Sequence, residues 1–199
     1  MKIKAFTILM AVSLGLSACG GTGQQSEGPK EHQGAAGEKK AEKTSAKTAP
    51  ESLLITLKNQ KGKKVGEARF VQTPKGVKIT VEATHLTPGE HGIHIHETGK
   101  CVPPDFESAG GHFNPFHMEH GLKNPKGAHA GDLPNIIVEE NGTVQTSILA
   151  KKVTLEKGRK NSLLDEDGSA LVIHAKKDDN KSQPSGNAGE RVVCGEITD

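Results

Sequence analysis

Apolar residues alternate with polar neighbours in much of the chain beyond position 52, and this period of two constrains the fold more than any other feature. Leu53, Ile55 and Leu57 form one such run, and 77–83 form another. Successive side chains of a β-strand point to opposite faces, so the alternation indicates strands with one buried face. Helical spacing is nowhere sustained over three turns. The pattern therefore predicts an all-β domain.

Turn signals separate the apolar runs. They are Lys61-Gly62, Pro74-Lys75-Gly76, Pro88-Gly89 and Asn141-Gly142. About eight short strands at this spacing predict a β-sandwich or a barrel. The chain has no Trp, no Tyr and five Phe, so the core of such a domain must be built from aliphatic side chains.

The first eighteen residues predict an export signal outside the fold. Lys2 and Lys4 precede an apolar stretch that runs from Phe6 to Leu16, about the length expected of a secretory signal. Leu16-Ser17-Ala18-Cys19 resembles the lipobox of bacterial lipoproteins, which implies that Cys19 is diacylated and becomes the mature N-terminus. The alternatives are an ordinary secretory signal and a small buried cysteine. Two acyl chains suffice for stable anchoring, so we expect an extracytoplasmic protein anchored to a bacterial membrane.

Residues 19–51 predict a lipidated N-terminus and a flexible tether, because they contain almost no large apolar side chains. No apolar run reaches the roughly 18 residues of a spanning helix, which excludes a polytopic membrane protein. Seven basic and five acidic residues precede position 52, so 19 of the 26 basic and 19 of the 24 acidic residues remain in 52–199. This balance argues against nucleic-acid binding. Attraction for a charged substrate must come from local arrangement.

Residues 97–135 interrupt the strand pattern with a stretch dense in Gly, Pro, His and Asn. A connection that long without secondary structure is usually functional or disordered, and it needs something to hold it. With Cys19 lipidated, Cys101 and Cys194 remain as an even pair in an exported domain, which predicts a disulfide worth about 4 to 5 kcal/mol on the chain-entropy model. Metal ligation by the two thiols is the alternative, although they lack CxxC spacing.

Histidines are the second means of holding this segment. His94 and His96 flank Ile95, so on a strand their imidazoles share a face, with Cα atoms about 6.6 Å apart. With metal–nitrogen bonds of about 2 Å, both rings can converge on one ion. Further candidates are His112, His117, His120, His129, Asp132 and His174. So many histidines with one carboxylate predict metal binding, and this donor set suits copper and zinc.

Six stretches resemble the copper–zinc superoxide dismutase family, in the family's order over essentially all of 52–199. They are His91-Gly92-Ile93-His94-Ile95-His96, Gly110-Gly111-His112-Phe113-Asn114-Pro115, His120-Gly121, His129-Ala130-Gly131-Asp132-Leu133, Leu171-Val172-Ile173-His174 and Gly186-Asn187-Ala188-Gly189-Glu190-Arg191-Val192-Val193-Cys194-Gly195. The resemblance implies a Greek-key β-sandwich, or flattened eight-stranded barrel, with long metal-binding and electrostatic loops. It also implies one copper and one zinc per chain.

The resemblance assigns a role to each matching residue. The implied copper ligands are His94, His96, His112 and His174. The implied zinc ligands are His112, His120, His129 and Asp132, so that His112 bridges the two ions. Asp178 resembles the carboxylate that links copper and zinc histidines, and Cys101 with Cys194 resembles the intrasubunit disulfide. Arg191 resembles the guanidinium that docks superoxide beside copper.

The implied reaction is superoxide dismutation, with Arg191 and His112 as the catalytic residues. Copper oxidises one superoxide to O2 and reduces a second to peroxide, and His112 takes up and delivers a proton. Arg191 would attract the anion together with Lys176, Lys177 and Lys181, although a solvated charged loop is the alternative for the lysines. Of the other histidines, we expect a structural hydrogen-bonding role for His91 and surface positions for His85 and His117.

Two other classes of function compete with the enzyme. A metal-binding lipoprotein could store or deliver copper or zinc without turnover, and a structural or adhesive surface domain could keep the fold alone. The complete ligand set disfavours the second class, and Arg191 disfavours the first because storage does not require it. The sequence leaves open whether the protein is a monomer or a homodimer.

Overall fold

The computed structural model describes residues 50–199, so the expected signal at 1–18, the lipidation site at Cys19 and most of the expected tether lie outside the described residues. Within 50–199 there are nine strands and one 3₁₀ turn, at Glu107–Ala109. The strands are β1 (Ser52–Asn59), β2 (Lys64–Thr73), β3 (Gly76–Ala83), β4 (Gly89–His91), β5 (Ile93–His96), β6 (Ile136–Val138), β7 (Val144–Ala150), β8 (Ser169–His174) and β9 (Arg191–Ile197). The all-β prediction is confirmed. Across the same residues, no helix is long and apolar enough to cross a bilayer.

Seven of these strands form one curled antiparallel sheet in the order β5-β8-β9-β1-β2-β3-β7, and β4 pairs with β6 in a separate ribbon. β1, β2 and β3 are consecutive neighbours, whereas β9 pairs with β1 and β7 with β3 across long connections. The strand count exceeds the expected eight by one.

Burial alternates along the strands as the sequence pattern predicts. In β3, Val77, Ile79 and Val81 are buried, whereas Lys78 and Glu82 face solvent. The core is aliphatic apart from a few phenylalanines, and each fully buried Leu, Ile or Phe contributes about 1.5 to 3 kcal/mol. This core fixes the sheet that carries the histidines.

β5 departs from this alternation because all four of its residues are buried. Its isoleucines, Ile93 and Ile95, belong to the core. Its two histidines point to the opposite face of the strand and are nevertheless buried, so other segments must cover that face. Part of that cover is the 97–135 segment, which contains no named strand and brings the ring of His112 to 4.0 Å from that of His94. The segment bonds along the free edge of β5: Phe113 N–H donates to Ile95 O at 2.8 Å, and Ile95 N–H donates to Gly131 O at 2.9 Å.

A disulfide joins the long segment to the sheet. Cys101 and Cys194 are bonded, with their Cα atoms 5.7 Å apart and 93 residues between them in sequence number. The disulfide prediction is therefore confirmed, and metal ligation by these thiols is wrong. Because Cys194 lies in β9, the bond fastens 97–135 beside the strand that begins at Arg191.

Candidate metal centre

Three strand-borne histidines meet a fourth from the long segment. His94 and His96 lie on β5, and His174 is the last residue of β8, the neighbour of β5 in the sheet. His112 reaches the same place from the long segment, with its ring centroid 4.0 Å from that of His94. The ring centroids of His94 and His174 are 4.8 Å apart. We call His94, His96, His112 and His174 the four-histidine set.

One ring nitrogen of each member of the four-histidine set is buried without a hydrogen-bond partner. These atoms are His94 Nδ1, His96 Nε2, His112 Nε2 and His174 Nε2. Nitrogen atoms of the four rings lie within 4.8 Å of one another. Leaving one buried polar atom unpaired costs about 1 to 3 kcal/mol, so four converging atoms of this kind fit a bound cation.

The opposite ring nitrogens explain why the unpaired ones point inward. His94 Nε2 donates to Asp178 Oδ2 at 2.7 Å, His96 Nδ1 donates to the Gly110 carbonyl at 3.0 Å, and His174 Nδ1 donates to the Gly189 carbonyl at 3.2 Å. Such bonds fix the tautomer and orient the free lone pair of each neutral imidazole. This donor set suits copper.

A second set shares His112 and is centred on one carboxylate oxygen. Asp132 Oδ1 lies 2.9 Å from His112 Nδ1, 3.0 Å from His120 Nδ1 and 3.2 Å from His129 Nδ1. A tetrahedron with arms of about 2 Å has edges of about 3.3 Å, so these four atoms are spaced for zinc. We call these residues the zinc-type set: His112, His120, His129 and Asp132.

Backbone contacts orient the Asp132 carboxylate. Its Oδ2 accepts N–H bonds from Gly121 at 2.9 Å and from His129 at 3.0 Å, which leaves Oδ1 facing the three imidazoles. Gly131 lets the segment approach β5, because a Cβ there would lie 2.2 Å from the carbonyl oxygen of Ile95. The local sequence thus brings the carboxylate to the edge of the sheet.

Asp178 connects the two sets. Its Oδ2 accepts from His94 Nε2 at 2.7 Å, and its Oδ1 accepts from His120 Nε2 at 3.1 Å. Asn135 holds the backbone of Asp178 with two bonds, donating to its carbonyl at 2.8 Å and accepting from its N–H at 3.0 Å. Gly186 packs so closely that a Cβ would lie 1.8 Å from Asp178 Oδ1.

The pKa values of these groups follow from burial and pairing. Burial lowers the pKa of His112 to about 4 and that of His174 to about 3, so both are neutral and able to bind metal near pH 7. Burial by itself lowers the pKa of His120, but hydrogen bonds to Asp132 and Asp178 outweigh it and raise that pKa to about 9. Burial would raise the pKa of Asp132, but its histidine partners hold it well below the usual range.

Arg191 lies beside the four-histidine set. Its guanidinium donates to the carbonyls of Phe106 and Gly110, both at 2.7 Å. Burial lowers the pKa of Arg191, and the nearby carboxylate of Glu107 opposes that shift. Arg191 also lines a pocket of about 430 Å³, so it is both fixed in place and reachable from solvent.

The histidines and lysines outside the two sets also have defined positions. His85 and His117 are exposed, as expected. His91 is buried, with its ring nitrogens 2.6 Å from the His174 carbonyl and 2.8 Å from the Thr87 carbonyl, which agrees with a structural role. The three lysines expected near Arg191 are exposed, and none of them lines its pocket.

Sequence reasoning missed Gln183, whose side-chain amide contacts the backbone of His120 twice. His120 N–H donates to Gln183 Oε1 at 2.8 Å, and Gln183 Nε2 donates to the His120 carbonyl at 2.9 Å. It also missed Asn135. Neither contact has a spacing signal in the sequence, because each joins segments that are far apart along the chain.

Comparison with known proteins agrees with this geometry. Residues 64–197 match the family described as copper/zinc superoxide dismutase (SODC). The chain is 57% identical over 140 residues to superoxide dismutase [Cu-Zn] 1 of Aquifex aeolicus, covering 70% of this chain and 83% of that protein. It is 43% identical over 192 residues to superoxide dismutase-like protein YojM of Bacillus subtilis, covering 96% and 93%.

Two solved structures are similar to this one. A SOD-like protein from Bacillus subtilis has a TM-score of 0.71 at 47% identity, covering 75% of this chain and 99% of that chain. Cu/Zn superoxide dismutase from Brucella abortus has a TM-score of 0.62 at 29% identity, covering 74% and 99%. The matched family region contains both histidine sets, Asp178 and Arg191.

Proposed function

The chain belongs to the copper/zinc superoxide dismutase family, and we infer from its two histidine sets that it converts superoxide to O2 and hydrogen peroxide with one copper and one zinc per chain. The observation that carries this function is the set of four buried, converging imidazole nitrogens without hydrogen-bond partners. The four-histidine set would hold copper, and the zinc-type set would hold zinc. Copper, when bound, supplies one-electron redox chemistry, and zinc supplies a fixed positive charge.

His112 is the residue that belongs to both sets. Its Nδ1 faces Asp132 at 2.9 Å, whereas its Nε2 points into the four-histidine set. Peroxide formation consumes protons, and Nε2 is the atom at which His112 would hold a proton and pass it to the reduced substrate. The contact at Nδ1 keeps the ring in one orientation throughout, which a proton donor requires.

Arg191 would bind and orient the anion. Its two hydrogen bonds to backbone carbonyls hold the guanidinium at the side of the four-histidine set while it stays charged. A fixed cation in a pocket lowers the entropic cost of placing a small anion. Metal storage or delivery does not require such a cation, so this placement favours the enzyme over a carrier.

The rest of the chain is assigned on sequence grounds. We propose a lipoprotein signal at 1–18, a lipidated Cys19 with a tether to 51, and the dismutase domain at 52–199. The protein would lie outside the cytoplasmic membrane of a bacterium, anchored through Cys19. The Cys101–Cys194 disulfide supports this location, because disulfides persist in oxidising compartments and are rare in the cytosol.

The test is superoxide disproportionation by the mature chain, loaded with one copper and one zinc and followed by pulse radiolysis. We expect rapid decay of superoxide, loss of activity with His174→Ala, and a salt-dependent decrease with Arg191→Ala. A metal-loaded chain no more active than free copper would contradict the proposal and favour metal storage or delivery.

A further inference from the structure

Two surface segments, 116–126 and 149–160, lie against each other. Lys160 Nζ, in the second segment, is 5.6 Å from the centre of the Phe116 ring in the first. A pocket between the segments is lined by residues from both, among them Leu122 from the first and Leu149, Lys151 and Lys152 from the second. The two segments therefore form one continuous surface, which we call the basic apolar face.

Large apolar side chains are exposed on this face more than elsewhere. Seven of them are exposed within residues 50–199, and four belong to the face: Phe116, Met118, Leu122 and Leu149. Phe116 is 43% exposed and Leu122 is 47% exposed. Leaving such groups in water is unfavourable, and an apolar patch rimmed by polar residues is typical of an interaction site.

The face also concentrates positive charge. Its seven basic residues are Lys123, Lys126, Lys151, Lys152, Lys157, Arg159 and Lys160. It contains two acidic residues, Glu119 and Glu156, and the Asp199 carboxylate contacts Lys157 as a third. Seven basic and three acidic residues give a net charge of +4. Because residues 52–199 are neutral overall, the rest of the domain carries −4, so the domain is strongly dipolar.

We propose that the basic apolar face docks the domain on an anionic lipid bilayer. The exposed Phe116, Met118 and Leu122 side chains would enter the boundary between headgroups and acyl chains. The surrounding lysines, whose stems are apolar and whose ends are charged, would lie among the lipid phosphates. The combination of exposed apolar groups with a surplus of cations matches both properties of such a surface.

Other occupants match only one of these properties. A second copy of the chain, paired through the same face, would bring a charge of +4 against another +4. A polyanion without acyl chains would satisfy the lysines but leave the apolar side chains in water. An anionic bilayer is therefore the occupant that the observations favour.

Docking of this kind would orient the domain. The bilayer attracts the basic apolar face and repels the acidic remainder, so charge determines which side meets the lipid. No residue that lines the Arg191 pocket belongs to this face, so the pocket stays uncovered. An acyl anchor on Cys19 would hold the domain near a membrane, whereas this face would set its orientation. The inference goes beyond the proposed function, because it requires neither copper nor turnover.

Fluorescence can locate the contact, because the chain contains no Trp and no Tyr. Phe116→Trp places one fluorophore on the face, and Val102→Trp, at a residue 59% exposed outside it, is the matched control. Both are made in the mature chain with Cys19→Ser, so that no acyl chain contributes. Vesicles of equal parts phosphatidylglycerol and phosphatidylcholine should shift the emission of Phe116→Trp to shorter wavelength and leave Val102→Trp unchanged. No shift at Phe116→Trp, or an equal shift in both, would overturn the proposal.

Cosedimentation with the same vesicles tests the charge. A cation near an anionic bilayer contributes about a fivefold factor in affinity, so Lys123→Gln/Lys151→Gln should weaken binding about twenty-fivefold. The control Lys61→Gln/Lys63→Gln removes the same charge from exposed side chains between β1 and β2, and it should change affinity by less than about twofold. Equal losses in the two double variants would mean that net charge alone attracts the protein, which contradicts a defined face.

Phe116→Ser separates a bilayer from the other occupants. It should weaken vesicle binding about tenfold and leave the binding of dextran sulfate, a polyanion without acyl chains, unchanged. Unchanged vesicle binding in Phe116→Ser would assign the face to a polyanion and overturn the proposal. A wild-type chain that dimerises through this face and ignores vesicles would also overturn it. None of these measurements uses superoxide, so their failure is distinct from failure of the proposed function.

Discussion

His96 and Arg191 donate hydrogen bonds to the same acceptor, the carbonyl oxygen of Gly110, at 3.0 Å and 2.7 Å. One peptide group thus sets the position of a histidine proposed to bind copper and of the guanidinium proposed to bind substrate. That peptide lies in the segment fastened by Cys101. The backbone therefore fixes the distance between His96 and the Arg191 guanidinium.

Arg191→Lys should lower kcat/KM for superoxide by about tenfold while copper content stays the same. A lysine carries its three N–H donors on one nitrogen, so it lacks the two separate nitrogens with which Arg191 bonds Phe106 and Gly110, and the positive charge loses its fixed position. His96 keeps its bond to Gly110, so the four-histidine set remains oriented. Stopped-flow rates and metal analysis check both parts. An unchanged rate, or loss of copper, would contradict the shared-acceptor argument.

His174→Ala should abolish stoichiometric copper binding and leave zinc binding intact. His174 belongs to the four-histidine set but not to the zinc-type set, and its unpaired Nε2 is one of four converging atoms. Metal analysis after dialysis against each ion is the measurement. His117→Ala, at an exposed histidine, is the control and should retain both metals. Full copper retention in His174→Ala would show that the set is assigned wrongly.

Gln183→Ala should release zinc about tenfold faster than the wild-type chain does. The Gln183 amide bonds both the N–H and the carbonyl of His120, and groups that orient a metal ligand typically change affinity by about ten- to a hundredfold. Zinc release into a chromogenic chelator measures the rate. Gln183→Glu keeps the acceptor for the N–H and should recover part of the loss. Gln145→Ala, which removes an exposed amide that contacts Glu82, should have no effect.

The metal-free protein should lose stability as the pH falls below 6.5. Burial holds the folded-state pKa of His112 at about 4 and of His174 at about 3, and lowers that of His96 well below its ordinary value. The unfolded chain binds protons at these residues near pH 6.5, so it gains stability relative to the folded chain. Each histidine then contributes a slope of about 1.4 kcal/mol per pH unit between pH 6.5 and about 4.

Urea unfolding of the metal-free chain at pH 7 and pH 5 tests this slope. His120, with its raised pKa of about 9, is protonated in both states at the lower pH and adds little. His174→Gln removes one titrating group and should give a shallower dependence on pH. Stability that stays constant or increases toward pH 5 would mean that these imidazoles are not held neutral.

Reducing the disulfide should lower the free energy of unfolding by about 4 to 5 kcal/mol, because the bond closes a loop between residues 93 apart in number. Activity should fall even where the chain stays folded. The segment that reduction loosens is the one whose Phe106 and Gly110 carbonyls hold Arg191 in place. Thermal unfolding and superoxide rates, with and without a reductant, are the measurements. A Cys101→Ser/Cys194→Ser double variant should behave like the reduced protein. Equal unfolding temperatures for the oxidised protein, the reduced protein and the double variant would contradict this prediction.

The alternating pattern was sufficient for the fold class and the histidine-rich composition for metal binding, whereas the resemblance to the family divided the histidines into two sets. Strand pairing leaves a period of two, and metal chemistry permits few residue types, so both leave patterns along the chain. The roles of individual ligands remain predictions. The three carboxylates at the Arg191 pocket and the position of Gln183 could not be foreseen, because they depend on which loops meet. Glu190 reaches the pocket from the start of β9, whereas Asp105 and Glu107 reach it from the disulfide segment.

The segment that carries the zinc-type set also occupies the outer edge of β5, through the Phe113, Ile95 and Gly131 backbone bonds. A bare strand edge offers unpaired N–H and carbonyl groups to any other chain that can extend along it. A zinc ion bound by this segment would therefore also keep the edge of β5 covered. A molecule that loses the ion and loosens this segment would expose a template for edge-to-edge aggregation, even with its core intact.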